Sequence, residues 1–132
     1  MATLQPTVDP YSEPFWAGLR EGALRAPRCR QCHRLQFPPG PCCSDCLAQD
    51  FEWVTLSGRG EVYAYVVYHH AFTSAFQDKL PYNVAEICLE EGIKVISNVV
   101  GMANDEIRND MHVKACFVKV NEQLTLLQFE SA

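Results

Sequence analysis

The stretch CRQCHRLQFPPGPCCSDC, residues 29–46, decides how this chain is to be read. It holds two C-x-x-C motifs, Cys29/Cys32 and Cys43/Cys46, with ten residues between them. Tetrahedral Zn²⁺ takes four thiolates at one point, and two such knuckles supply them from opposite sides. Pro38, Pro39, Gly40 and Pro41 allow the intervening loop to double back. Cys42 is an ambiguity, because Cys42 and Cys46 would make a C-x-x-x-C pair. Equal knuckles give the more symmetric four-sulfur site, which favours Cys43. One metal ion held by four protein ligands has no open coordination position, so it serves structure rather than catalysis.

Three other readings of the cysteines compete. CRQCH by itself matches the attachment signature of a c-type haem, with Met102 or Met111 as candidate axial ligands. That reading leaves the second motif unexplained and wants an exported chain. The opening MATLQPTVDPYSEP has no basic segment followed by an apolar one, so no signal peptide is expected. A thioredoxin-like dithiol would follow a strand in a βαβ pattern, which the sequence lacks. A disulfide framework fits poorly with seven cysteines, five of them crowded between residues 29 and 46. His33 then reads as a surface residue beside a knuckle.

On the N-terminal side, SEPFWAGLREGAL reads as a short helix after a loose arm over residues 1–10. Ser12 can cap it, Glu13 and Pro14 suit its first turn, and Phe15, Trp16, Leu19 and Ala23 share a face. Residues 25–47 show no periodicity. Beyond them strands dominate: DFEWVTL, EVYAYVVYHH, NVAEICLEE turning at Gly92 into IKVISNVVG, then HVKACFVKV and QLTLLQFES. Five or six strands of this length suggest a small barrel. The expected organisation is an arm and helix over 1–24, a metal ribbon over 25–50 and a barrel over 51–132.

The chain has 132 residues, 48% of them hydrophobic and 20% charged, which describes one globular domain. No apolar run approaches the roughly 20 residues of a spanning helix, so no membrane partner is expected and a cytoplasmic location is the default. The net charge of −5 weighs against a nucleic-acid binder. Arg20, Arg25, Arg28, Arg30 and Arg34 nevertheless cluster and could form a basic stripe. No catalytic constellation stands out. His69 and His70 point to opposite faces of a strand end, His112 begins a strand, Glu86, Glu90 and Glu91 read as a solvated face and turn, and Cys88 and Cys116 read as small core residues.

The order of features is specific. PFWAGLREGAL leads into RCRQCHRLQFPPGPCCSDC, then EWVTLSGRGEVYAYVV, LPYNVAEICLEEGIKVISNVVG and a closing LLQF. Over residues 13–130 this resembles the acyl-CoA-associated OB-fold family with a rubredoxin-like zinc ribbon, most tellingly at FPP and SGRGEVYAY. The resemblance implies a mainly β fold: a short helix, the ribbon and a five-stranded OB barrel. It implies one structural Zn²⁺ on Cys29, Cys32, Cys43 and Cys46, with Cys42 outside the pattern. It further implies a non-catalytic subunit of a heteromeric thiolase-type acyltransferase acting on acyl-CoA thioesters. The catalytic residues would then sit on the partner chain. Settings for such subunits include benzoylsuccinyl-CoA thiolase in toluene breakdown, and steroid degradation. A CoA thioester has an anionic head and a long flexible arm. Arg25, Arg28, Arg30 and Arg34 are candidates for the head, and Phe37, Pro38, Phe72 and Phe76 for the arm or for a partner subunit. The competing reading is a ribbon/OB module that binds single-stranded nucleic acid through aromatics and a basic groove.

Overall fold

The computed structural model describes residues 8–71 and 74–132. The helix, α1, runs Glu13–Arg20 and ends earlier than the sequence suggests. Gly22 takes φ +77° and stops it. The Gly22 N–H bonds to the Leu19 carbonyl at 3.0 Å and the Ala23 N–H to the Gly18 carbonyl at 2.8 Å, a paired terminal closure that a left-handed glycine permits. The start also differs: Ser12 makes no side-chain cap. Asp9 Oδ1 instead accepts the N–H groups of Tyr11 and Ser12 at 2.9 and 2.8 Å.

Strand β1, Arg25–Cys29, is absent from the sequence reading, since Pro27 and the arginines hide any alternation. It pairs antiparallel with β2, Phe51–Thr55, from Arg25↔Thr55 to Cys29↔Phe51. The strand read as DFEWVTL thus joins the ribbon's sheet, a two-stranded one, rather than the barrel's.

The barrel sheet has the order β5-β4-β3-β6-β7. Its strands are β3, Arg59–Tyr68, β4, Tyr82–Leu89, β5, Lys94–Ser97, β6, His112–Lys119, and β7, Thr125–Ser131. Long β3 pairs with β4 along most of its length and with β6 only through Arg59–Glu61. A bulge between Val62 and Ala64 lets it curl. Gly60 makes the tightest approach: a Cβ there would stand 2.5 Å from the Cys88 carbonyl oxygen. The ring of strands closes through a parallel bridge between Val99 and Phe129. This is the mainly β, five-stranded OB barrel that the resemblance implied.

β4 alternates as an amphipathic strand should, with Asn83, Ala85, Ile87 and Leu89 buried. Cys88 lies between Ile87 and Leu89 and so faces outward, and Cys116 is only half-buried; neither is a core residue as expected. His69 and His70, just past the end of β3, are both exposed. One apolar cluster joins all parts: Phe15 and Leu19 of α1, Leu24, Ala26 of β1, Leu56, and Val62, Ile87, Val113 and Phe129 of the barrel. The helix therefore rests its apolar face, Phe15 and Leu19, on this common core. No helix among the described residues is long and apolar enough to cross a membrane.

Candidate metal centre

The two C-x-x-C motifs fold as copies of one another. In the first, the His33 N–H bonds to the Cys29 carbonyl at 2.8 Å and the Cys29 N–H to the Arg34 carbonyl at 2.9 Å. In the second, the Leu47 N–H bonds to the Cys43 carbonyl at 3.0 Å and the Cys43 N–H to the Ala48 carbonyl at 2.7 Å. His33 and Leu47, each following the second cysteine of its motif, share φ 64°. That left-handed residue turns each chain away once its two sulfurs have been presented.

The result gathers the sulfurs of Cys29, Cys32, Cys43 and Cys46, all within 4.8 Å of one another. Cys29 and Cys46 sulfurs lie 3.5 Å apart and those of Cys32 and Cys43 3.6 Å apart. Sulfurs about 2.3 Å from a tetrahedral zinc would be separated by roughly 3.8 Å, so the donor set and spacing fit that ion. Cys29 and Cys43 are fully buried, while Cys42 stands outside the cluster and is half-buried. Backbone donors aim at the sulfurs: the Cys32 N–H at Cys29 Sγ, 3.5 Å, and the Asp45 N–H at Cys43 Sγ, 3.4 Å.

These donors divide the thiols into two kinds. N–H groups of Cys46 and Asp45 pull Cys43 down to about 7. Cys29 is lowered too, foremost by the Cys32 N–H. At Cys32 the Arg34 N–H favours the thiolate, but burial and the other three sulfurs outweigh it and push the thiol up to about 12. Cys46 is raised in the same manner, the Ala48 N–H being outweighed chiefly by burial and the Cys29 sulfur. Each motif thus pairs a thiol that ionises readily with one that resists. Four thiolates in contact repel, and a dication among them removes the conflict.

Gln36 carries a role that no motif in the sequence marks. Its Nε2 donates to the Cys42 carbonyl at 3.2 Å and its Oε1 accepts the Ser44 N–H at 3.0 Å, strapping the loop to the second knuckle. A glutamine in an aperiodic segment carries no spacing signal by which to find it.

The remaining candidates separate. Arg28, Arg34, Phe37 and Pro38 line two adjoining clefts of about 310 and 410 Å³ that share Arg34, Leu35, Gly92 and Ile93, forming one groove between ribbon and barrel. Arg25 and Arg30 line neither cleft. Each of the four arginines faces a carboxylate: Arg25–Glu21 at 2.8 Å, Arg28–Glu52 at 3.9 Å, Arg30–Asp50 at 3.3 Å and Arg34–Asp45 at 4.0 Å. The cluster is therefore locally neutral, not a basic stripe. Phe37 packs edge-on against Phe15, ring centroids 5.2 Å apart, so much of its ring serves the fold. Phe72 lies outside the described residues. Phe76 falls in the 3₁₀ turn Ser74–Lys79, and its side chain is likewise outside them.

A four-thiol ribbon packed on an OB barrel defines a class of protein, the zinc-ribbon/OB-fold chains. Residues 16–52 match the rubredoxin-like zinc ribbon domain of ChsH2, and residues 53–118 match the C-terminal OB-fold domain of ChsH2. The chain belongs to this ChsH2 (DUF35) family. A probable enoyl-CoA hydratase alpha subunit from Thermomonospora curvata is 39% identical over 97% of this chain, and the match spans only 40% of that relative. Benzoylsuccinyl-CoA thiolase subunit BbsA from Thauera aromatica is 32% identical, with 76% of each chain covered. A solved chain of the Ltp2–ChsH2(DUF35) aldolase has a TM-score of 0.87 and 35% identity, covering 96% of this chain and 98% of that one.

Proposed function

We propose that this chain is the non-catalytic, zinc-stapled subunit of a heteromeric enzyme of thiolase or aldolase type acting on acyl-CoA thioesters. Its partner chain carries the catalytic residues. The observation that carries this reading is the likeness to the chain of the Ltp2–ChsH2(DUF35) aldolase, which extends over nearly the full length of both. The thiolase subunit BbsA and the hydratase alpha subunit, each named for a CoA thioester reaction, support it. Degradation of an aromatic compound or a steroid is the setting to which such reactions belong.

In this reading one Zn²⁺ sits among Cys29, Cys32, Cys43 and Cys46 and supplies cross-linking alone. The ribbon and barrel then form one rigid piece that presents the groove beside Arg28, Arg34, Phe37 and Pro38 to the partner or to the CoA thioester. The arginines' present ion pairs are exposed and worth at most about 1 kcal/mol each, so a phosphate or a partner carboxylate can replace them. Arg25 and Arg30 remain candidates for the CoA head, and Phe72 and Phe76 for apolar contact with its arm or with the partner subunit.

Expression in the native host with a tag on this chain, followed by mass spectrometry of the purified complex, tests the assignment. A thiolase-like chain should accompany it in fixed ratio. Recovery as a free monomer that binds a single-stranded oligonucleotide tightly would instead establish the nucleic-acid reading, against which the neutralised arginines and the charge of −5 already weigh.

A further inference from the structure

At one end of the barrel, away from the ribbon, lies a cleft of about 500 Å³ between the start of β4, the 98–104 loop and β7. It shares no lining residue with the groove beside the arginines. Tyr82, Val100, Met102 and Leu126 give it apolar walls, and its polar groups are almost all primary amides: Asn83, Asn98, Asn104 and Gln128. No carboxylate lines it, and its one cationic residue, Lys79, is exposed.

The amides are locked to one another. Buried Asn83 donates through Nδ2 to the Val99 carbonyl, 2.8 Å, and to Asn104 Oδ1, 2.9 Å, and its Oδ1 accepts the Val99 N–H at 2.7 Å. Asn104 Nδ2 donates to the Pro81 carbonyl at 3.2 Å. Asn98 Nδ2 donates to the Asn83 carbonyl, and Asn98 Oδ1 accepts Gln128 Nε2 at 3.4 Å. Each primary amide has two N–H donors and an acceptor oxygen. This network leaves one N–H each on Asn98, Asn104 and Gln128, and the Gln128 oxygen, beside an apolar wall. Cations find no counter-charge in such a site, and anions only the exposed Lys79. A neutral group with one acceptor and one donor, flanked by hydrocarbon, meets both kinds of vacant position.

We propose that this cleft binds a neutral ligand through a secondary amide, with its aliphatic flanks on Tyr82, Met102 and Leu126. The proposal goes beyond the subunit reading and does not rest on it. A secondary amide can come from an extended peptide or from a small molecule, and two probes distinguish these sources. The full metal-loaded chain would be titrated separately with N-acetyl-leucine N-methylamide and with pantetheine, following side-chain amide resonances by NMR.

At least one probe should move the Asn98, Asn104 and Gln128 signals saturably, with half-saturation on the order of 1 mM for ligands of this size. A response to the dipeptide alone assigns the site to peptide, and a response to pantetheine alone assigns it to a small molecule. Leu126→Trp, which fills the cleft, and Gln128→Glu, which keeps the size but removes a donor and adds charge, should each weaken binding about tenfold or more. Gln128→Glu tests the site even where the tryptophan disturbs the barrel. The proposal is overturned where neither probe shifts these signals by about 20 mM. It is equally overturned where the shifts persist unchanged in Gln128→Glu.

Discussion

The ribbon and the barrel hold themselves together by opposite means. Between residues 30 and 47 almost every side chain is exposed or half-buried, and Cys43 alone is fully buried. The ordered contacts there are chiefly backbone hydrogen bonds, N–H groups aimed at sulfur and the Gln36 strap, with only Leu35 and Phe37 packed against the common core. In the barrel, Val62, Ile87, Val113 and Phe129 are at most 1% exposed and pack into a common core. The ribbon is specified by where four atoms must meet, the barrel by which faces must leave water. A segment of the first kind tolerates any residue that does not disturb the meeting point. A segment of the second kind carries its constraint on every other residue.

The sharpest way to break this comparison is at the sulfurs. Cys43→Ser should release the metal and melt the ribbon, because structural zinc sites carry on the order of 10 kcal/mol of apparent folding free energy. Metal analysis combined with hydrogen exchange would check this. Protection in β3, β4 and β6 should survive, since their core does not include the sulfurs, and its collapse would mean that the two regions fold as one. Cys42→Ser should leave the metal content unchanged. The reverse pair of results would move the fourth ligand to Cys42.

The barrel has its own breaking point at Gly60. The Cβ of Gly60→Ala would meet backbone at 2.5 Å and Ile87 Cγ2 at 3.1 Å, and the backbone cannot swing aside. Urea unfolding should show a loss of roughly 3 kcal/mol with the metal retained. A loss below about 1 kcal/mol would show that β3 and β4 can spread. Gly22→Ala is gentler. Nothing lies within 4 Å of its Cβ, so only the left-handed backbone resists, at φ +77°. About 1 kcal/mol should be lost by the same measurement, and Gly22→Asn should recover part of it.

The finest test is pH, on the metal-loaded chain. The ion binds thiolates, so every proton taken up at a sulfur opposes it and retention weakens as pH falls. N–H donors hold Cys43 down at about 7 and favour its thiolate, whereas Cys32, pushed up to about 12, takes up a proton more readily. Zinc release to a chelator should therefore rise as pH drops from about 8 to about 4. Release that does not change over this range would contradict a four-thiolate site.

How legible each region was in the sequence follows from the same contrast. The sulfur cluster could be read from spacing alone, because the chain between two ligands is short and must return. The barrel strands could be read from alternation, as in YNVAEICL. What escaped obeys neither rule. β1 is five residues with a proline and two arginines, and only its pairing with β2 makes it a strand. Cys88 was misplaced because a cysteine in an apolar strand looks alike on either face until register fixes it. The arginine cluster looked basic because Asp45, Asp50 and Glu52, which oppose Arg34, Arg30 and Arg28, lie further along the sequence, and Glu21 alone stands among the arginines. The amide cleft was invisible for the same reason, its asparagines and glutamine coming from positions 83, 98, 104 and 128.

The bridge between Val99 and Phe129 has a mechanical meaning. Three sides of the cylinder are longer ladders and the fourth, β3 with β6, is a short one through Arg59–Glu61, while the fifth is pinned by this bridge and its few neighbours. Phe129 N–H to the Asn98 carbonyl at 2.9 Å, Val100 N–H to the Phe129 carbonyl at 2.8 Å and Ser97 Oγ to the Leu127 carbonyl at 2.7 Å complete it. The fifth side is a slit, and its opening should expose the Val100 and Phe129 amides to solvent deuterons before those of the continuous β6–β7 ladder. Asn98 and Gln128 sit on opposite lips of that slit, and their side chains reach across it like a latch.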